Sequence, residues 1–187
     1  MRREQGFTLV ELTITLAVAA VLLVIAVPNF SNMINSNRLT TATNTMIGAL
    51  NTARMEAIKR NGSVQFCSNV AATNATGTTD VLGTACGTNA GAVLALTVAS
   101  TSTVQAPPVA LSISSVHVKG TIAAIRFNGS GLGYAPGPMT APFGTGANGS
   151  TVVELCSSAL SSNNDLQINM AAGSIITSSA PSTVTCP

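Results

Sequence analysis

The sequence predicts an α+β protein in which one long N-terminal helix, its first half transmembrane, is laid against antiparallel β-sheet. Three observations lead there. Phe7 to Val27 is an apolar run interrupted by a single acid, helical periodicity continues from there to Arg60, and beyond Gly62 the pattern changes to alternation.

At 1.5 Å per residue the run from Phe7 to Val27 is long enough to cross the ~30 Å hydrocarbon core of a bilayer. Arg2 and Arg3 precede it, which orients the N-terminus toward the cytoplasm and the rest of the chain outward. A secretory signal peptide would have a shorter apolar region followed by a small-residue cleavage site. Here the candidate cut lies before the apolar region. The acid inside the run is Glu11, and an ionisable side chain at the bilayer centre costs about 2.5 kcal/mol or more. Something must neutralise it or use it.

Pro28 follows the run, removes a backbone donor and crowds the carbonyl four residues back, so a kink is expected there. Helical spacing resumes with Ala42, Met46, Ala49, Leu50, Ala53 and Ala57 on one apolar face, whose small residues let a sheet approach closely. Arg54, Lys59 and Arg60 form a basic last turn, and Asn61-Gly62 supplies the stop. A helix from about Thr8 to Arg60 would be about 80 Å long. No core of this size requires that length, so its first half belongs in lipid or in a filament and its second half packs on the remaining chain.

Strands are expected at Val64 to Cys67, Ala92 to Val98, Val109 to Val118, Thr121 to Phe127, Thr151 to Cys156, Leu166 to Met170 and near Ser174 to Thr177. The clearest alternation is in Val109 to Val118, with Val109, Leu111 and Ile113 on one face and Ala110, Ser112 and Ser114 on the other. Ser68 to Asn89 and the Gly/Pro-rich Asn128 to Ser150 read as loops. About 125 residues follow the helix, enough for one domain.

Eight Lys/Arg against six Asp/Glu give a net charge of +2, and charged residues are only 7% of the chain. No strong field exists to gather nucleic acid or anionic lipid. Cys67, Cys86, Cys156 and Cys186 all lie beyond the membrane segment, where an even number in an oxidising compartment reads as two disulfides. Three connectivities are possible. The favoured one joins Cys67 to Cys86 and Cys156 to Cys186, because each bond closes a Gly/Ser/Thr/Asn-rich excursion with few apolar residues of its own. A zinc site is disfavoured, since there is no C-x-x-C and His117 is the lone histidine.

Catalysis would need a partnered nucleophile or paired acids. Asp80, Glu154 and Asp165 are scattered along the chain, and the thiols are assigned to disulfides. Gly144-x-Gly146-x-x-Gly149 matches a dinucleotide fingerprint in letters only, because it precedes a strand instead of opening a helix. The Asn-x-Ser/Thr sequons beginning at Asn61, Asn74, Asn128 and Asn148 are incidental to a composition rich in these residues. His117, between Val116 and Val118, reads as a solvent-facing or hydrogen-bonded sheet residue. No cofactor and no metal is expected.

The string Arg2-Arg3-Glu4-Gln5-Gly6-Phe7-Thr8-Leu9-Val10-Glu11-Leu12 resembles the class III signal of type IV pilins and type II secretion pseudopilins. The resemblance implies that a prepilin peptidase cuts between Gly6 and Phe7 and methylates the new amine of Phe7. The mature side-chain balance would then be +1. It also gives Glu11 a use. In a helical filament the amine of one subunit can neutralise the carboxylate of its neighbour, turning a penalty in lipid into a register signal.

Ala53 to Cys67, Ile125-Arg126-Phe127-Asn128-Gly129 and Val153-Glu154-Leu155-Cys156 are similar to the helix end and strands of the GspH/FimT group of minor pilins and pseudopilins. That group's fold is a long helix on two antiparallel sheets. The implied organisation is a leader at 1–6, a transmembrane half-helix at 7–27, a periplasmic amphipathic half at 28–61 and a disulfide-bonded head at 62–187. The implied partners are major and minor pilin subunits, the prepilin peptidase and the inner-membrane assembly platform. The subunit would sit in the bacterial inner membrane with its C-terminus periplasmic, and on the pilus or cell surface after assembly.

The group holds three roles: a FimU-like minor pilin that starts and caps the type IV pilus, a GspH pseudopilin of the type II secretion piston, and a FimT-like receptor that binds DNA in natural transformation. DNA binding in that last branch depends on a Gly-Arg-x-Arg motif. Here Gly173 is followed by Ser174, Ile175 and Ile176, and no Lys or Arg occurs after Arg126. The loss of phosphate contacts argues against nucleic acid as a partner. The favoured reading is a non-enzymatic, FimU-like minor pilin.

Overall fold

The computed structural model describes residues 7–98, 100–146 and 149–187, with the backbone alone at positions 25 and 28. Helix α1 (Leu9–Arg60) runs for 52 residues and stays α-helical across Pro28. It ends at Asn61, whose backbone is left-handed (φ 47°, ψ 45°). The Asn61 N–H reaches the Ile58 carbonyl and the Gly62 N–H reaches the Ala57 carbonyl, both at 3.1 Å. This is a Schellman ending, in which asparagine takes the left-handed position usually held by glycine.

The chain then builds two antiparallel sheets. The first contains β1 (Val64–Phe66), β2 (Val93–Leu96), β3 (Thr101–Gln105), β5 (Ile125–Phe127) and β6 (Gly133–Tyr134), in the spatial order β3-β2-β1-β5-β6. The second contains β4 (Val116–Val118), β7 (Ser150–Ser157), β8 (Asp165–Ala171) and β9 (Ile175–Ser178), in the order β4-β7-β8-β9. Both sheets close on one face of α1. Ala42, Met46, Ala49, Leu50, Ala53 and Ala57 are fully buried there against Phe66, Phe127, Leu155, Ile168 and Met170. The alanines keep the backbones close, so the bulky side chains of the sheets fill the gap between them.

One of the two stretches read as loops contains short helices. Within 68–89 lie α2 (Ala71–Asn74) and α3 (Val81–Cys86). The Asp80 carboxylate caps α3 by accepting the Gly83 N–H at 3.1 Å, a cap preference seen wherever Asp precedes a first turn. Gly83 is required by proximity, because a Cβ there would overlap the Asn74 carbonyl. Cys67 is bonded to Cys86 and Cys156 to Cys186, with Cα separations of 5.5 and 5.7 Å.

The expected strand at Val109 to Val118 is a correction. Only Val116–Val118 pairs, with Leu155 to Ser157 of β7, while Val109–Ser112 is a 3-10 turn. Pro107 and Pro108 remove two backbone donors just before it, and the Ser112 hydroxyl folds back onto the Val109 carbonyl at 2.7 Å. Val109 is consequently 82% exposed, while Leu111 and Ile113 pack on the core. The Thr121 to Phe127 strand is shorter than expected, and β3 and β6 are additional. β3 (Thr-Ser-Thr-Val-Gln) has no apolar alternation and owes its place to the hairpin closed by Thr97 and Ser100.

The Gly144-x-Gly146-x-x-Gly149 letters serve a loop folded over β8. Gly144 and Gly149 both have positive φ (72° and 71°), and a side chain at either would collide with the Met170 carbonyl.

Candidate assembly interface

The exposed end of α1 begins with a cap. The Thr8 hydroxyl accepts the Glu11 N–H at 3.2 Å, and the Leu12 N–H bonds to the Thr8 carbonyl at 3.2 Å. Thr8-x-x-Glu11 therefore has the spacing of a capping box and puts a carboxylate in the first turn, where the helix dipole favours negative charge. Phe7 is 81% exposed, and Gly6 lies outside the described residues. The hydroxyls of Thr13 and Thr15 donate to the carbonyls of Val10 and Leu12, each at 2.9 Å. These hydroxyls are satisfied within the helix. The Glu11 carboxylate has no ion-pair partner among the described residues.

Above the cap, α1 is apolar on every side and uncovered. A window of 18 residues reaches a mean hydropathy of 2.6 with none of it buried. Exposed large side chains continue past Val27 to Phe30 and Met33, and burial starts at Asn35 and Leu39. Covering one such Leu, Val or Phe gains about 1.5–3 kcal/mol. A surface of this extent must be covered by lipid or by other helices. No metal-ligating cluster occurs among the described residues.

The head spends its charges internally. Gln65 and Arg126 face each other across β1 and β5, and the Gln65 carbonyl oxygen accepts from Arg126 Nη2 at 2.6 Å. Arg126 also donates to both Asp80 oxygens, at 2.9 and 2.8 Å. Gln65 Nε2 donates to the Asn74 backbone carbonyl at 2.8 Å, and fully buried Asn74 bonds onward to Ser68 and Gly87. Burial pushes the Asp80 carboxyl up, but the Arg126 hydrogen bonds and charge with the Gly83 and Thr76 N–H groups hold it below its ordinary value. This network pins the 68–89 excursion onto the first sheet. The Asn74 sequon is thereby unusable in the folded head.

Other cations are occupied as well. Glu56 receives Arg60 at 2.6 Å and Lys59 at 3.6 Å, and the Arg60 hydrogen bond leads the lowering of its pKa. Lys119 reaches Glu154 at 2.8 Å, a bond that raises the lysine pKa. Arg54 donates to the Ser174 carbonyl at 3.1 Å. Glu154 and Asp165, 11 positions apart, are brought together on the adjacent strands β7 and β8, and Asp165 is fully buried. His117 Nε2 lies 3.2 Å from Ser158 Oγ.

The sequence singles out Gly6, Phe7, Glu11, Pro28 and the four cysteines, of which the cysteines form the two expected bonds. Not singled out are Thr8 as a cap and the Gln65, Asn74, Asp80 and Arg126 network. The Thr-x-x-Glu spacing was a readable signal for the first. For the second, no local pattern exists.

An uncovered apolar half-helix with an acid in its first turn, continuous with a half-helix packed on two antiparallel sheets, defines a type IV pilin-like subunit. Residues 1–27 match the prokaryotic N-terminal methylation motif. Residues 42–173 match the family described as Type II transport protein GspH, and the chain belongs to that family. No curated protein and no solved structure matches the chain.

Proposed function

We propose that the chain is a minor pilin of the type IV pilus, a non-enzymatic subunit that takes part in the initiating and tip complex. The observation that carries this reading is the bare apolar half of α1 with Glu11 in its first turn. Prepilin peptidase cleaves between Gly6 and Phe7 and methylates Phe7. The subunit waits in the inner membrane as a single-pass protein with its head in the periplasm. Pro28 bends the helix between its lipid-embedded and head-packed halves. On assembly the Glu11 carboxylate pairs with a Phe7 amine and sets register with a neighbouring major or minor pilin.

A second reading, a pseudopilin of type II secretion, is supported by the family match over 42–173. DNA reception has less support, since Lys59, Arg60, Lys119 and Arg126 are already paired with acids. Deleting the gene separates the first two readings. Loss of surface pili with normal secretion is expected, and loss of secretion with normal piliation would transfer the protein to the second role. Glu11→Ala should leave membrane insertion intact while reducing incorporation about tenfold or more, as expected for losing a desolvated charge pair. Wild-type incorporation of Glu11→Ala, measured by immunoblotting sheared filaments, would refute the pairing role.

A further inference from the structure

We propose that Asp165 is a proton-operated latch. Protonated, it holds residues 179–186 down on the outer face of the second sheet. Ionised, it releases them to the length that the Cys156–Cys186 bond allows.

The geometry starts from strand register. His117 faces Cys156 and Cys156 faces Asp165, so the three form a row across β4, β7 and β8. Val153 and Leu155 of β7 belong to the core beside α1, so alternation turns this row to the opposite face. Cys156 and Asp165 are nevertheless fully buried, because the segment after β9 crosses over them. Asp165 and Ser182 exchange two backbone hydrogen bonds of 3.1 Å, and the Ser182 hydroxyl donates to Asp165 Oδ2 at 2.9 Å. Asp165 Oδ1 is buried with no hydrogen-bond partner among the described residues.

A carboxylate accepts through about four lone-pair sites and donates nothing. One hydroxyl is poor compensation for a charge removed from water. Protonation removes that charge and lets the acid donate to Glu154, which lies diagonally across on β7. Burial is the chief cause of the raised Asp165 pKa. The Glu154 charge and hydrogen bond add to it, while Ser182 and Lys119 pull the other way.

Among the described residues, the charged or titratable side chains around Asp165 are Glu154 on β7, Lys119 beyond β4 and His117 on β4. The neighbouring β9 and the segment 179–186 carry no Asp, Glu, Lys, Arg or His. The remaining ties are neutral: Asn164 bonds both ways with Val184 (3.0 and 2.9 Å), and the Thr183 hydroxyl accepts the Asn163 N–H at 3.0 Å. These do not change with pH. An acid with a raised pKa binds more protons in the closed form than in the open one. Closure is therefore favoured at low pH and weakens as pH rises from the ordinary carboxylate value through the raised one.

The test is amide exchange of the full chain in detergent micelles from about pH 4 to about pH 8, corrected for intrinsic rates, with the Asp165 carboxyl carbon titrated in parallel by NMR. Protection of 179–186 should fall about tenfold or more across the range, a tenfold change being the equivalent of one pKa unit. Protection in α1 and β7 should fall less. Asp165→Asn should keep the segment protected throughout, and Glu154→Gln should move the loosening to lower pH. The proposal is overturned by pH-independent protection in the wild type or by an unchanged slope in Asp165→Asn, which would point to His117. If that variant does not fold, a wild-type carboxyl midpoint at or below about 3.9 overturns it equally.

Discussion

The two halves of α1 are one helix in two different environments, and their side chains show it. From Leu9 to Met33 large apolar residues point in every direction and are exposed, whereas from Leu39 to Ala57 a single stripe is buried and much of it is alanine. The lower half gains nothing from this chain's own fold and is stabilised by whatever surrounds it. The upper half is the spine of the head. The same substitution should therefore have unequal consequences in the two halves, and charge should be tolerated in neither unless a partner is built in.

The largest expected effect lies in the head. Arg126 and Asp80 are only 13% and 9% exposed at their side chains, and removing one member of such a pair costs about 3–5 kcal/mol. Asp80→Ala should lower the melting temperature of the head and free the 68–89 excursion for proteolysis, while membrane insertion is unchanged. The sign with pH is opposite to that of Asp165. The Asp80 pKa is lowered by folding, so the unfolded chain holds more protons just below its ordinary value of 3.8. The pair's contribution is complete above that value and is lost as pH falls through the lowered one. Melting curves in acid should show a stability loss that Asp80→Asn does not share, and parallel curves would refute the assignment.

A smaller effect separates the halves directly. Ala53 is fully buried and Ala19 is exposed. Ala53→Leu should cost about 1–3 kcal/mol by overpacking the helix against the sheets. Ala19→Leu should stay within about 0.5 kcal/mol of wild type in head stability, as surface changes do. Equal costs in detergent-solubilised protein would mean that the halves are not independent.

These contrasts also explain what could be read in advance. The α1 stripe was legible because residues three and four apart share a face, and β1, β2, β7 and β8 because one side of each is buried against α1. Asn61 declared the helix end. Val109 to Val118 misled because its alternation is real while its hydrogen bonding is not: the two prolines and Ser112 divert the backbone into a turn. β3 was invisible because its pairing comes from a turn and a neighbour, leaving no apolar signature in Thr-Ser-Thr-Val-Gln. Gln65, Asn74 and Arg126 are single polar residues that bond to one another and to Asp80 across 9 to 61 positions, so only the folded chain reveals the network. Glu154 and Asp165 looked scattered for the same reason.

The smallest effect is at the membrane end, where Thr8 holds the first turn. Loss of an N-cap typically costs about 1 kcal/mol, or roughly a fivefold change in local opening. Thr8→Ala should accelerate exchange of the Glu11 N–H by about that factor and leave the exchange of Ala53 untouched, because 45 positions along α1, including its uncovered half, separate Thr8 from Ala53. Thr8→Ser keeps the hydroxyl and should restore protection. If Thr8→Ala left the Glu11 amide as protected as in wild type, the cap would be incidental. Glu11 would then be held by the continuous helix alone. If the cap matters, its loss should also blur the position of the Glu11 carboxylate and lower incorporation into filaments less than Glu11→Ala does, since the charge remains and only its placement is loosened.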